Sequence, residues 1–195
     1  MRPLLQLLLL FIVSLAAGLG SAWYMIEEGS AFTTARIGPW SVWHSAGKPD
    51  ADPYTIAHMA RAGRLPINAT TALYFFAGTD NEGLPLRAQC EYVVEGRPIN
   101  AAWWSIALYD GTGRLIPNKA ERHSFNRTDI ARRADGSFRI VLARTARPGN
   151  WLPSADDGTL KLVLRAYGVR HADGIAADAA VVFPNLPSIR KVLCR

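Results

Sequence analysis

Two cysteines in 195 residues are too few for a small fold held together by disulfides. Long apolar runs are equally scarce: one stretch near the N-terminus qualifies, which excludes a polytopic membrane protein. Charged residues make up 19% of the chain against 49% hydrophobic, a balance that excludes intrinsic disorder. Also missing are the short motifs of common chemistries. There is no G-x-S-x-G elbow, no G-x-G-x-x-G after a strand and no G-x-x-x-x-G-K loop. His44, His58, His123 and His171 never fall at i, i+2 or i, i+4, so neither a local metal site nor a cofactor is expected. Lys and Arg outnumber Asp and Glu by 22 to 16, but apart from Arg132-Arg133 and Arg190-Lys191 they are scattered. Without a basic stripe interleaved with aromatics, nucleic acid is not an expected partner.

The one apolar run extends from Leu4 to Met25, broken by no polar residue other than Gln6, Ser14 and Ser21. As a helix it would be about 33 Å long, enough to cross a hydrocarbon core of roughly 30 Å. Arg2 precedes it, Glu27 and Glu28 follow it, and Trp23 and Tyr24 sit where amphipathic rings favour the headgroup region. This predicts a membrane anchor over residues 1–26, contacting the bilayer through residues 4–25, with the N-terminus inside. The rest then lies outside, beyond that membrane. Gly20-Ser21-Ala22 keeps a second reading open, a cleaved signal peptide that releases the domain on the far side of the membrane. Such an oxidising compartment makes a Cys90–Cys194 disulfide conceivable. Cys90, however, falls on an apolar strand face, where a buried free thiol is the expectation, and Cys194 in the basic tail is expected to be free.

Residues 27–36, rich in small and polar side chains, read as a linker, and 37–195 as one folded domain opening on the ordered pair Trp40 and Trp43. Asp52-Pro53 supplies a cap and a first-turn proline for one short helix over 53–62, with Tyr54, Ala57 and His58 or Ala60 inward and Gly63 as the stop. Beyond it the period becomes two. Leu86 to Val94, Phe138 to Leu142 and Leu160 to Ala166 alternate apolar with polar residues, as half-buried strands do. Residues 72–77 and 103–109 are apolar on both faces and belong in the middle of a layered structure, and Ala179 to Phe183 makes a short last strand. Asp135-Gly136, Asp157-Gly158, Asp173-Gly174 and similar turn pairs punctuate the region. Short strands between such turns, with no room for intervening helices, specify an all-β fold: an antiparallel β-sandwich.

One set of residues rises above this background. Trp103-Trp104-Ser105, Tyr109, Asn118, Arg122, His123, Asn150-Trp151, Arg165 and Tyr167 combine hydrogen-bonding heads with large flat surfaces. Those are the ingredients of a carbohydrate, peptide or lipid-headgroup cleft, and Trp103, Asn118, Arg122, His123, Trp151 and Arg165 are the candidate ligand-binding residues. Each also has an ordinary explanation: Trp104 as core, Asn118 as a turn cap, Arg165 as partner to a loop carbonyl or carboxylate. No catalytic residue can be named.

The same residues carry a resemblance. Gly83-Leu-Pro-Leu, Trp103-Trp104-Ser105-Ile-Ala-Leu-Tyr109-Asp110, Asn118 with Arg122, Asp135-Gly136-Ser137, Pro148-Gly149-Asn150-Trp151-Leu152-Pro153 and Leu164-Arg165-Ala166-Tyr167-Gly168, in this order, resemble the bacterial domain of unknown function 1214. The likeness covers roughly residues 80–170, more loosely 37–79. It implies a jelly-roll-type sandwich without assigned activity. It also implies a partner, the domain of unknown function 1254 that often precedes this one, which a separate protein could supply. His123 stands where the family usually has tyrosine. The expected function is therefore a membrane-anchored, periplasm-facing module that binds a ligand or partner without catalysis. The alternative is a hydrolase using His123 as acid or base, with Asn118 or Arg122 holding developing negative charge.

Overall fold

The computed structural model describes residues 2–30, 32–43, 45–64, 67–69, 71–169, 183 and 185–194. Contacts group the chain into two compact units, residues 1–34 with 43–67, and residues 35–42 with 68–195.

In the first unit the apolar run forms helix α1 (Arg2–Glu27), whose segment Pro3–Glu27 is long and apolar enough to cross a membrane and buries none of its most apolar stretch. Helix α2 (Pro53–Arg61) begins where the sequence signals it. The Asp52 carboxylate accepts from the Thr55 amide at 2.9 Å and from the Ser45 and Thr55 hydroxyls, each at 2.6 Å. Gly63, at φ +61°, ends it in a left-handed turn. Its buried stripe is Thr55 and Met59, one turn apart, rather than the Tyr54–Ala57 face expected; Tyr54, Ala57 and His58 are half-buried beside it. The packing against α1 explains the shift. His58 stacks on Trp43 with ring centroids 4.1 Å apart, and its Nδ1 lies 2.7 Å from the Ile26 carbonyl, an orphan acceptor at the end of α1. A carbonyl can only accept, so Nδ1 carries the proton. Arg61 pairs with Glu27 at 2.5 Å and lies over the Trp23 ring. The stretch expected to be a linker is ordered at its end: the Ser30 carbonyl accepts from the Thr33 and Thr34 amides, and a strand starts at Thr34.

The second unit is built from β1 (Thr34–Ile37), β2 (Trp40–Trp43), β3 (Ala72–Ala77), β4 (Cys90–Gly96), β5 (Trp103–Asp110), β6 (Ser124–Asn126), β7 (Phe138–Ala143), β8 (Asn150–Pro153), β9 (Leu160–Tyr167) and β10 (Ser188–Cys194). A six-stranded sheet runs β1-β2-β3-β9-β5-β6 and a four-stranded sheet β10-β4-β7-β8. The fold is the expected β-sandwich. Two of the three alternating segments are strands throughout, the third, over 86–94, is a strand only from Cys90, and the two segments apolar on both faces, β3 and β5, flank β9 inside the larger sheet. Alternation decides the core. Phe75, Trp104, Ile106, Leu108, Leu162 and Leu164 of one sheet meet Tyr92, Val94, Phe138, Ile140, Leu142 and Leu152 of the other. Trp104 stacks on Phe138 across the gap at 5.1 Å, and the Trp40 indole donates to the Pro187 carbonyl at 2.6 Å.

The Leu86–Val94 run serves both sheets. Leu86 and Ala88 bond to Gly78 and Gly158 beside the larger sheet, after which Cys90–Gly96 joins the smaller one. One pair, β7–β8, is parallel; residues 144–149 return the chain, and Pro153, which has no N–H, is tolerated because β8 is an edge strand. The strand expected at 179–183 and the Asp173-Gly174 turn lie outside the described residues, Phe183 excepted, which is buried edge-on to Phe75. The last described strand is instead β10, a partner of β4.

That pairing overturns the free-thiol expectation. Cys194 lies directly opposite Cys90 in the β10–β4 register, and the two form a disulfide. Cys90 is on the inner face, as its alternation requires, but long-range strand pairing supplies a partner that no local pattern announces. The four-stranded sheet is also tied from outside, where Glu95 accepts from Arg133 at 3.2 Å and from Arg190 of β10, and Arg147 grips Glu91 with two bonds of 2.7 Å. Burial would raise the Glu95 carboxyl, but Arg133 and Arg190 outweigh it and hold it below the usual range.

Replacing Cys90 and Cys194 by serine is expected to lower the unfolding free energy by about 2–4 kcal/mol, read from denaturant midpoints of the full chain in detergent. Because Glu95 is held low, its stabilisation is complete above the ordinary glutamate range and lost as pH falls through the lowered value. Glu95→Gln should remove that part of the acid dependence at a cost near neutrality below about 1 kcal/mol, its partners being largely exposed. Thermal melts from neutral pH into the acid range check this.

Candidate functional site

Because β9 turns Leu160, Leu162, Leu164 and Ala166 into the core, it must turn Lys161, Val163, Arg165 and Tyr167 outward. The registers then fix their neighbours. Arg165 lies between Tyr74 of β3 and Ser105 of β5; Tyr167 is opposite Trp103; Val163 lies between Phe76 and Ala107; Lys161 is opposite Tyr109. Trp103 and Arg165 are thus brought to one face, together with tyrosines 74, 109 and 167. Ser105, Ala107 and Val163 are only 6%, 3% and 7% exposed, the low centre of this face, whereas Trp103 stands 38% exposed at one end.

The face is polar at its rims. Arg165 Nη2 donates to the Tyr109 hydroxyl at 2.7 Å with its guanidinium 5.8 Å from that ring's centre, and Trp103 meets Tyr167 edge-on at 5.4 Å. Burial, and then a hydrogen bond shared with Tyr167, push the Tyr74 hydroxyl up to about 12, so it stays a proton donor through the physiological range. The expected loop carbonyl or carboxylate beside Arg165 is replaced by this phenol. Among the described residues no carboxylate pairs with Arg165 or Lys161.

The other four candidates gather elsewhere, near β6 and β8, the outer strands of the two sheets. The Asn118 amide closes the loop before β6: Oδ1 accepts from the Arg122 amide at 3.0 Å, and Nδ2 donates to the Ile116 and Arg122 carbonyls, each at 3.0 Å. Within that loop Glu121 holds φ +50°, a left-handed conformation that a non-glycine residue adopts only when its surroundings impose it. Arg122 reaches the Trp151 carbonyl at 3.4 Å, and the Trp151 indole donates to the Ala143 carbonyl at 2.8 Å. His123 Nδ1 is 3.4 Å from Asn118 Nδ2 and meets no carboxylate among the described residues. Asn150 likewise binds backbone, at Ala131 and Arg139. These groups bind the protein's own main chain, and the six candidates therefore form two groups.

Tyr74 is the member that sequence reasoning omits. It sits on a strand whose composition is apolar on both faces, and its signal is parity: Leu73, Phe75 and Ala77 turn inward, leaving Tyr74 beside Arg165. No group of histidines, cysteines and carboxylates able to hold a metal occurs among the described residues.

The architecture defines a β-sandwich domain with an aromatic, cationic sheet face, in a chain whose helix α1 is long and apolar enough to span a membrane. Its family follows from comparison. The family described as protein of unknown function (DUF1214) matches residues 71–171, from just before β3 to just beyond β9, and the chain belongs to it. Trp103, Arg165 and the three tyrosines of the outer face lie inside that match. Among solved structures, the VPA0106 protein of Vibrio parahaemolyticus shares 22% identity at a TM-score of 0.59, over 74% of this chain and 36% of its own, a likeness of fold. An uncharacterised protein from Burkholderia cenocepacia shares 24% identity at a TM-score of 0.44, over 64% of this chain and 30% of its own. The chain thus spans about a third of the length of either. No curated protein matches it.

Asn118→Ala is expected to destabilise by about 1–3 kcal/mol, since it strands loop carbonyls and releases the strained Glu121 turn. Denaturant unfolding checks the value, and amide exchange over residues 116–123 should rise with it.

Proposed function

We propose that this protein is a membrane-anchored module of the bacterial envelope, facing the periplasm, that binds a ligand without catalysis on the outer face of the six-stranded sheet. The observation that carries the reading is the convergence of Trp103, Arg165 and three tyrosines on that face, with a cation left unneutralised by the described residues. Aromatic surface and hydroxyl donors around a guanidinium are recognition chemistry. A hydrolase reading has no such support, because His123 meets an amide rather than an orienting carboxylate.

The address has separate support. Helix α1 is long and apolar enough for a bilayer, the charges flanking it favour an inside N-terminus, and the Cys90–Cys194 disulfide suits an oxidising compartment. The family likeness suggests a second component, a separate protein with a domain of unknown function 1254. Nucleic acid has no place in this reading, which needs no basic groove.

Two measurements test it. A reporter active only outside the cytoplasm, fused after Arg195, should be active; a cytosolic signal would end the periplasmic assignment. Immobilised full-length protein incubated with envelope extract should retain small molecules, identified by mass spectrometry, that the Trp103→Ala, Arg165→Gln double variant loses at least tenfold. Identical retention by both proteins would show that the face does not bind.

A further inference from the structure

We infer that the outer face of the six-stranded sheet is a subsite for an acidic saccharide, a short chain of sugar rings bearing carboxylates; this rests on the reading of that face as a ligand-binding surface. Three observations favour that class over its rivals. The first is layout. From Trp103 and Tyr167 at one end to Tyr109 and Lys161 at the other the face spans seven residues, six steps or about 20 Å along the strands, longer than a single ring. Its small central residues, Ser105, Ala107 and Val163, are nearly buried beneath the larger side chains around them, so an elongated ligand would rest on those larger side chains, from exposed Trp103 to exposed Lys161.

The second is the character of the lining. Trp103 offers an exposed flat surface of the kind on which sugar rings stack, and the half-buried Tyr74, Tyr109 and Tyr167 bring hydroxyls for sugar hydroxyls. A fatty acid would call for an apolar tunnel. A peptide strand would call for free main-chain groups, but β9 is paired on both sides, by β3 and β5, and this face presents side chains only.

The third is charge. Arg165 uses one N–H on Tyr109, an acceptor in that bond, so four of its five donors and the Tyr109 proton remain for an incoming oxyanion. Lys161, exposed on the same face four residues away, adds a second cation, and neither has a carboxylate partner among the described residues. The guanidinium's planar fork matches a carboxylate.

The test is a titration of the full chain in detergent micelles, followed by calorimetry and tryptophan fluorescence, with three probes. These are tetragalacturonate, its fully methyl-esterified form, which keeps the rings and loses the charge, and inorganic tripolyphosphate, which has charge and no ring. Tetragalacturonate should bind saturably, and the ester and tripolyphosphate roughly tenfold more weakly or worse. Arg165→Gln should weaken tetragalacturonate roughly tenfold and leave the ester unchanged, whereas Trp103→Ala should weaken both. The exposed Lys161→Gln gives a second charge variant should Arg165→Gln fold poorly. Equal binding of the ester overturns the acidic assignment while leaving the face a binding site, and equal binding of tripolyphosphate overturns the saccharide. Binding of no probe overturns this inference alone, since the envelope-extract comparison decides the broader reading independently. Binding insensitive to all three substitutions overturns both.

Discussion

Strand β9 is hydrogen-bonded on both sides, to β3 and to β5, and its side chains alternate without interruption from Leu160 to Tyr167. Much of the second unit follows from that one parity. Four residues of the strand enter the shared core, where every leucine among them is essentially fully buried. The four between them are compelled outward, which sets Arg165 beside Tyr74 and Tyr167 opposite Trp103. A slip of one residue would bury the guanidinium and expose Leu164, losing several kcal/mol of apolar burial and leaving an unpaired charge in the interior. Core and candidate site are therefore selected by a single register.

This explains what was legible in the chain before any coordinates. Period-two alternation is a local property, so the strands over 138–142 and 160–166, their inward rows and the outward position of Arg165 could all be read directly. Partnership is not local. Cys90 shows its inner-face position but not that β10 will run beside it, because 104 positions separate the two cysteines and nothing in their spacing encodes a distance. The division of the six candidates into two groups has the same origin: their order in the sequence matches a family, but only strand pairing tells that Trp103 meets Tyr167 while Arg122 meets Trp151. Tyr74 is hidden for a third reason, since a strand apolar on both faces does not mark which of its residues turns outward.

The first unit answers a different physical demand. A helix leaves its last carbonyls without intrahelical donors, and on an apolar helix such as α1 those acceptors fall close to where a membrane surface would be. Here His58 supplies a donor to Ile26, Arg61 neutralises Glu27, and the same guanidinium covers Trp23. Helix α2, nine residues long and too short to be stable alone, holds its shape through the Asp52 cap and this docking. The polar junction thus satisfies the end of α1 with protein groups as well as with solvent.

The distribution of charge distinguishes the two sheets. On the outside of the four-stranded sheet each acid has an arginine: Glu91 is gripped by Arg147 with 13% of its side chain exposed, and Glu95 by Arg133 and Arg190. Those pairs neutralise one another locally and bind strands together, which is a structural use of charge. On the six-stranded sheet Arg165 is answered by a phenol, which orients the guanidinium but cannot cancel its charge. A half-buried cation whose neighbours are tyrosine, serine and alanine gains less from its own protein than Arg147 does, and its remaining donors are left for water or, in the proposed reading, for an anionic ligand. In a protein whose arginines at Glu91 and Glu95 tie strands together, that difference in how charge is answered is what the proposed binding role of the Arg165 face rests on.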